Sequence, residues 1–106
     1  MSRLSLPLLI VGRRLRQDTL RMQSKGMPGY AATFSTLEKA SDFLEAYGES
    51  SWEFTVVTRP AMPDLISDLD RHGLLGICHD QQPDGTGGTA FTLADLRRQF
   101  LPDQDR

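Results

Sequence analysis

The chain has one cysteine, Cys78, among 106 residues. A lone thiol has no partner for an internal disulfide, which suits a reducing compartment and leaves the fold to be held by its core. No apolar run comes near the roughly 20 residues needed to span a bilayer. The nearest candidate is LSLPLLIVG at residues 4–12. It is preceded only by Arg3 and is followed by Arg13, Arg14 and Arg16 where a signal peptide would carry a small-residue cleavage site, so it reads as a strand. There is no internal repeat and no low-complexity tract. These absences argue against a disulfide scaffold, a membrane-spanning helix and a solenoid, and they point to a soluble, cytoplasmic domain.

What is there belongs to the ordinary globular range, with 39% hydrophobic and 25% charged residues. The length suits one domain, expected over residues 1–101, with the polar stretch PDQDR at 102–106 as a tail. The net charge of −2 hides an asymmetry: residues 1–30 carry six basic side chains against Asp18 alone, and residues 31–106 carry the other six against 13 acidic ones. A basic front end can bind nucleic acid through residues 13–25, or pack along the acidic remainder of its own domain. No aromatic interleaves these arginines as a base-stacking platform requires, so nucleic acid is the less favoured partner.

Periodicity gives the elements. Leu8 to Val11 is a continuous apolar run, a buried strand limited in front by Pro7. TLRMQ at 19–23 is a looser strand paired with it through GRRLRQD, KGMPG at 25–29 is a loop, and YAATF at 30–34 is a third strand. Ser35 and Glu38 fit a capping box. Leu37, Ala40, Phe43, Leu44 and Tyr47 then form the inner stripe of a helix that Gly48 stops. The opposite side carries Glu38, Asp42, Glu45 and Glu49, a solvated acidic ribbon rather than a set of catalytic carboxylates.

WEFTVVT at 52–58 alternates as a strand, with Trp52, Phe54 and Val56 on one side. Pro60 and Pro63 set up a second helix, with Leu65, Ile66 and Leu69 inward, His72 in the last turn and Gly73 as its cap. LLGICH at 74–79 is a strand, TAF at 89–91 a brief one, and Thr92 with Asp95 opens a short helix through Phe100 and Leu101.

GICHDQQPDGTGG at 76–88 is the stretch that most resembles chemistry. In an extended strand Cys78 and His79 point to opposite faces and cannot share a proton, so Cys78 is expected to be buried and inert. No second cluster sits at zinc spacing, and His72 is explained by the helix dipole, so no metal and no cofactor are expected. The glycines lack the lysine of a phosphate-binding P-loop and the spacing of a dinucleotide fingerprint, and they suit a turn. The functional alternative is an anion- or ligand-binding loop built from Gly85, Thr86, Gly87, Gly88 and Thr89, with Arg13 and Arg14 as counter-charge.

The run PGYAATFSTLEKASDFLEAYG at 28–48, followed by a strand and a second helix leading to GLLGI, resembles the SseB N-terminal domain family over about residues 8–80. The resemblance implies a small mixed α/β domain and supplies no catalytic residue. The expectation is a single α/β (α+β) domain: a mixed sheet of about five strands with two main helices and a short C-terminal helix, in the order β-β-β-α-β-α-β-β-α, with helices mostly on one face. No titratable groups converge as a catalytic set. The functional expectation is therefore a non-enzymatic protein-interaction module whose partner is protein, a second copy of the chain included, and not a membrane. The alternative is small-ligand or anion binding by the 84–89 loop.

Overall fold

The computed structural model describes residues 3–15, 18–21, 23–24, 26–47 and 52–101, with the side chains of 13–15, 18–21 and 47 outside that description. Among the described residues the elements are β1 (Leu8–Leu15), β2 (Asp18–Arg21), β3 (Gln23–Ser24), β4 (Met27–Phe34), α1 (Leu37–Tyr47), β5 (Glu53–Val57), a 3-10 turn at Arg59–Ala61, α2 (Met62–Arg71), β6 (Gly76–Gln81), β7 (Gly87–Thr92) and α3 (Leu93–Phe100). The alternation of strands and helices follows the expected order. The second expected strand is split into β2 and β3 on either side of residue 22. Gly48 and Glu49, Arg16, Lys25 and the 102–106 tail lie outside the described residues.

The sheet is mixed, and its main path runs β2-β1-β4-β6-β7. β4 and β6 are parallel, in register from Tyr30 opposite Gly76 to Thr33 opposite His79. The other pairings are antiparallel. β5 pairs with β1 from Leu8 opposite Val57 to Gly12 opposite Glu53. Gly12 also faces Arg21 of β2, so β5 and β2 hold opposite edges of β1. Five strands therefore lie side by side as β5-β1-β4-β6-β7, with β2 and β3 attached beside them.

Period-two alternation builds two cores, one on each face. Leu8, Ile10, Ala31, Val57, Ile77 and Phe91 face α2 and α3. Val11, Ala32 and Phe34 face α1, where the Phe34 and Phe43 rings lie 5.2 Å apart. The helices are thus divided between the faces, two against one. β4 carries apolar residues on both sides, as a central strand in a parallel pair must. α2 contributes Met62, Leu65, Ile66 and Leu69, each worth roughly 1.5–3 kcal/mol when fully buried.

Several local expectations are corrected. β1 continues through Arg13 and Arg14 to Leu15, so most of the basic segment is strand, not turn. Residues 27–29 belong to β4 and not to a loop, because Gly29 takes φ +91° where Leu75 packs against it and the β3–β4 register shifts beside it. The cap of α1 is Thr36, whose hydroxyl accepts from the Lys39 amide at 3.2 Å, in place of Ser35 and Glu38. Leu37 is 57% exposed and stands outside the stripe that Ala40 and Phe43 fill. The remaining helix ends match their sequence signals. At the end of α2, Gly73 donates to the Asp70 carbonyl and Leu74 to that of Leu69, a paired closure that Gly73 permits through φ +73°. At the start of α3, Thr92 and Asp95 form a reciprocal capping box.

Candidate functional site

In open α/β sheets ligands collect at the carboxyl ends of parallel strands. Here that place is the end of β4 and β6, where α1 begins, and polar side chains converge on it. Asp80 sits in β6 with φ +60°, an uncommon conformation for a non-glycine residue, directly across the β6–β7 ladder from Gly88 at φ +83°. The ladder pairs His79 with Thr89 and Gln81 with Gly87, and the kinked pair lies between them. The kink aims the Asp80 carboxylate at the first turn of α1. It accepts from the Ser35 amide at 2.8 Å and from the Ser35 hydroxyl at 2.8 Å and 3.1 Å, while the Lys39 ammonium lies 3.4 Å away.

His79 completes the cluster. Its Nδ1 shares a 2.8 Å hydrogen bond with the Thr33 hydroxyl, and its Nε2 lies 3.7 Å from Asp80. Burial lowers the His79 pKa below 6.5; nearby Asp80 opposes this, and Lys39 adds to it. Burial pushes the Asp80 carboxyl up, but the Ser35 amide and hydroxyl, with His79 and Lys39, outweigh it and hold it below its ordinary range. The Ser35 hydroxyl meets the carboxylate rather than the imidazole, and a carboxylate held this low is a weak base for a serine proton. The hydroxyl that does lie on the imidazole, in the order hydroxyl–imidazole–carboxylate, is that of Thr33, which is fully buried and out of reach of a substrate. The cluster fastens β6 to the start of α1, with the chain's own carboxylate occupying the helix terminus where an anion would bind.

The residues expected from the sequence are not brought together. Cys78 is buried in register with Ala32, and His79 with Thr33 on the opposite face, so strand alternation separates thiol from imidazole. His72 caps α2, its Nδ1 2.8 Å from the Asp68 carbonyl. Gly85 and Thr86 lie in the β6–β7 turn, whereas Gly87, Gly88 and Thr89 are part of β7 itself. The turn's amides are already engaged: Gly85 donates to the Gln82 carbonyl at 2.9 Å and Thr86 to the Asp84 carboxylate at 2.9 Å. A carboxylate at the centre of the turn repels the anion that the nest was expected to hold. The backbones of Arg13 and Arg14 are on β1, with β4 and β6 between them and β7, about 14 Å by strand spacing. Their side chains lie outside the described residues.

Two grooves open on the α2–α3 face, one at each end of the five-strand row. The first, about 500 Å3, runs between β5 and α2 and is lined by Thr55, Val56, Val57, Leu65, Asp64 and Arg71, among others. Thr55 and Val57 point to one face of the sheet and Val56 to the other, so a groove touching all three follows the backbone edge of β5. The second, about 520 Å3, lies between β7 and α3. Thr89, Ala90 and Phe91 meet Arg3, Asp95 and Arg98 there. Neither groove was expected from the sequence. The available signal was WEFTVVT, whose third apolar position on the Trp52 side, Val56, lies beyond the reach of α1 and is 61% exposed.

Comparison with known proteins finds no family model matching this chain and no curated protein or solved structure that matches it.

Proposed function

We propose that this domain is a non-enzymatic protein-interaction module that binds an extended segment of its partner along the free edge of β5. The observation that supports this is the edge itself. β5 pairs with β1 alone among the described strands, its five residues include no proline, glycine or lysine, and Val56 stands exposed beside the α2 groove. A strand edge presents unpaired amides and carbonyls that an incoming strand satisfies, while a groove beside it selects side chains. The resemblance to the SseB N-terminal domain family carries no residue role into this reading.

A photo-crosslinking residue at position 56, introduced into the protein in its own cells, tests it. Covalent adducts are expected there and not from the same residue at Ala94 on the exposed side of α3. Equal labelling at both positions removes the reading.

A second reading, small anionic ligand binding, rests on Arg3 and Arg98, two guanidinium groups against the single Asp95 carboxylate that Arg98 meets at 3.5 Å, beside Phe91 in the β7 groove, rather than on the 84–89 turn. Arg98→Glu abolishes a carboxylate-induced rise in melting temperature if this groove is the site; a panel of aromatic carboxylates that shifts neither protein rejects it.

A further inference from the structure

We infer that the partner strand on β5 is β5 of a second copy, paired antiparallel about a two-fold axis at Val56. This rests on the proposed use of the β5 edge and adds the identity of its occupant.

A two-fold axis perpendicular to the sheet joins like faces, so residues facing each other across it must share a side of the strand. That leaves few registers. With the axis at Val56, the exposed Val56 side chains meet each other, Thr55 faces Val57 of the second copy, and Phe54 faces Thr58. Glu53 then faces Arg59, two residues past the strand end at the start of the 3-10 turn, where its guanidinium lies 5.2 Å over the Phe100 ring. Both are exposed, and Glu53 makes no ion pair among the described residues. With the axis at Thr55 instead, Glu53 faces Val57, beside the Asp64 carboxylate that lines the same groove. Like charges directly opposed are unfavourable, so charge selects the first register.

The helices agree with this choice. α2 lies along the groove, showing Asp64 at its start and Arg71 at its end. The two-fold axis runs the two α2 helices antiparallel and turns Asp64 of each copy toward Arg71 of the other. Asp64 makes no ion pair among the described residues, and Arg71 is exposed beyond its 2.9 Å contact with Asp68. The edge pairing and the helix pairing thus offer two complementary charge pairs under one operation. Association in this way turns five neighbouring strands into a continuous ten-stranded sheet and covers Val56.

Light scattering during gel filtration and sedimentation velocity read the assembly directly. The unaltered protein is expected to be a dimer. Val56→Lys places two ammonium groups at the axis and raises the dimer dissociation constant by about a hundredfold or more, the effect of like charges in contact. Its melting curve at low concentration stays that of a folded protein, because position 56 is exposed. Glu53→Arg and Arg59→Glu each weaken the dimer, and the double variant restores it.

The inference is overturned if the unaltered protein is a monomer across the accessible concentration range, if Val56→Lys dimerises as before, or if the double variant does not recover. A monomeric protein that still forms adducts from position 56 with a different protein defeats this inference and leaves the interaction reading standing. Absence of all adducts defeats both.

Discussion

The two ends of the five-strand row, β5 and β7, are both sheet edges with a helix-lined groove beside them, yet they are built to opposite effect. β5 is a regular strand of β-branched, aromatic and acidic residues with an exposed valine. β7 opens with Gly87 and Gly88, both at positive φ, and closes directly into the capping box of α3. Left-handed residues bend the backbone away from the flat geometry a new strand needs, so β7 is protected where β5 is open. The lesson is that groove size does not separate the two edges, since their volumes are nearly equal; backbone regularity does.

The largest expected effect lies at the seam that holds β7. A Cβ added at Gly76 would sit 2.0 Å from the Phe91 carbonyl oxygen and 2.9 Å from the Thr92 Cα. Because backbone cannot yield as a side-chain tip can, Gly76→Ala should cost about 3 kcal/mol or more, read by urea denaturation. Gly88→Ala is milder: its φ of +83° and contacts of 3.1 Å with the Cys78 sulfur and Gln81 backbone predict a loss of about 1–3 kcal/mol. Should Gly88→Ala prove neutral, the kink is not what protects this edge.

Acidification probes the clamp between the two edges. The folded protein disfavours charge on His79, so the unfolded chain takes up that proton first as pH falls below 6.5. Stability therefore declines from 6.5 down to the folded pKa. Asp80 contributes fully above 3.8 and loses its contribution as pH falls through its lower folded value. Denaturation across this range should show both declines, with His79→Gln removing the upper one and Asp80→Asn the lower. The smallest effect on folding is expected at β5: Val56→Lys should leave monomer stability within about 0.5 kcal/mol, as surface changes usually do, while removing association.

Much of the fold was legible because period and punctuation agreed. Pro63, Gly73 and the Thr92–Asp95 pair set the limits of α2 and α3 correctly, since each acts on backbone within its own turn. Ser35 misled because Thr36 has the same capping chemistry one residue on, and tertiary contact with Asp80 claims the Ser35 hydroxyl instead. The clamp itself was hidden: Asp80 and Ser35 are 45 residues apart, and nothing local marks an aspartate for positive φ. Arg13 and Arg14 looked like a basic turn because arginine says little about backbone; hairpin pairing with β2 decides their conformation. The free edge of β5 could not be read at all, because which strand ends a sheet is decided by pairing rather than by composition.

The parallel pairing of β4 with β6 also sets the order in which the molecule can assemble. Its partners, such as Thr33 and His79, are 46 residues apart, whereas the β6–β7 hairpin and the three helices close over short loops. Closing the long loop loses chain entropy before any contact repays it. The long-range seams, β4 with β6 and β1 with β5, are therefore the expected late events: the hairpins β1–β2, β3–β4 and β6–β7 form early, and Asp80 then seals β6 on the start of α1.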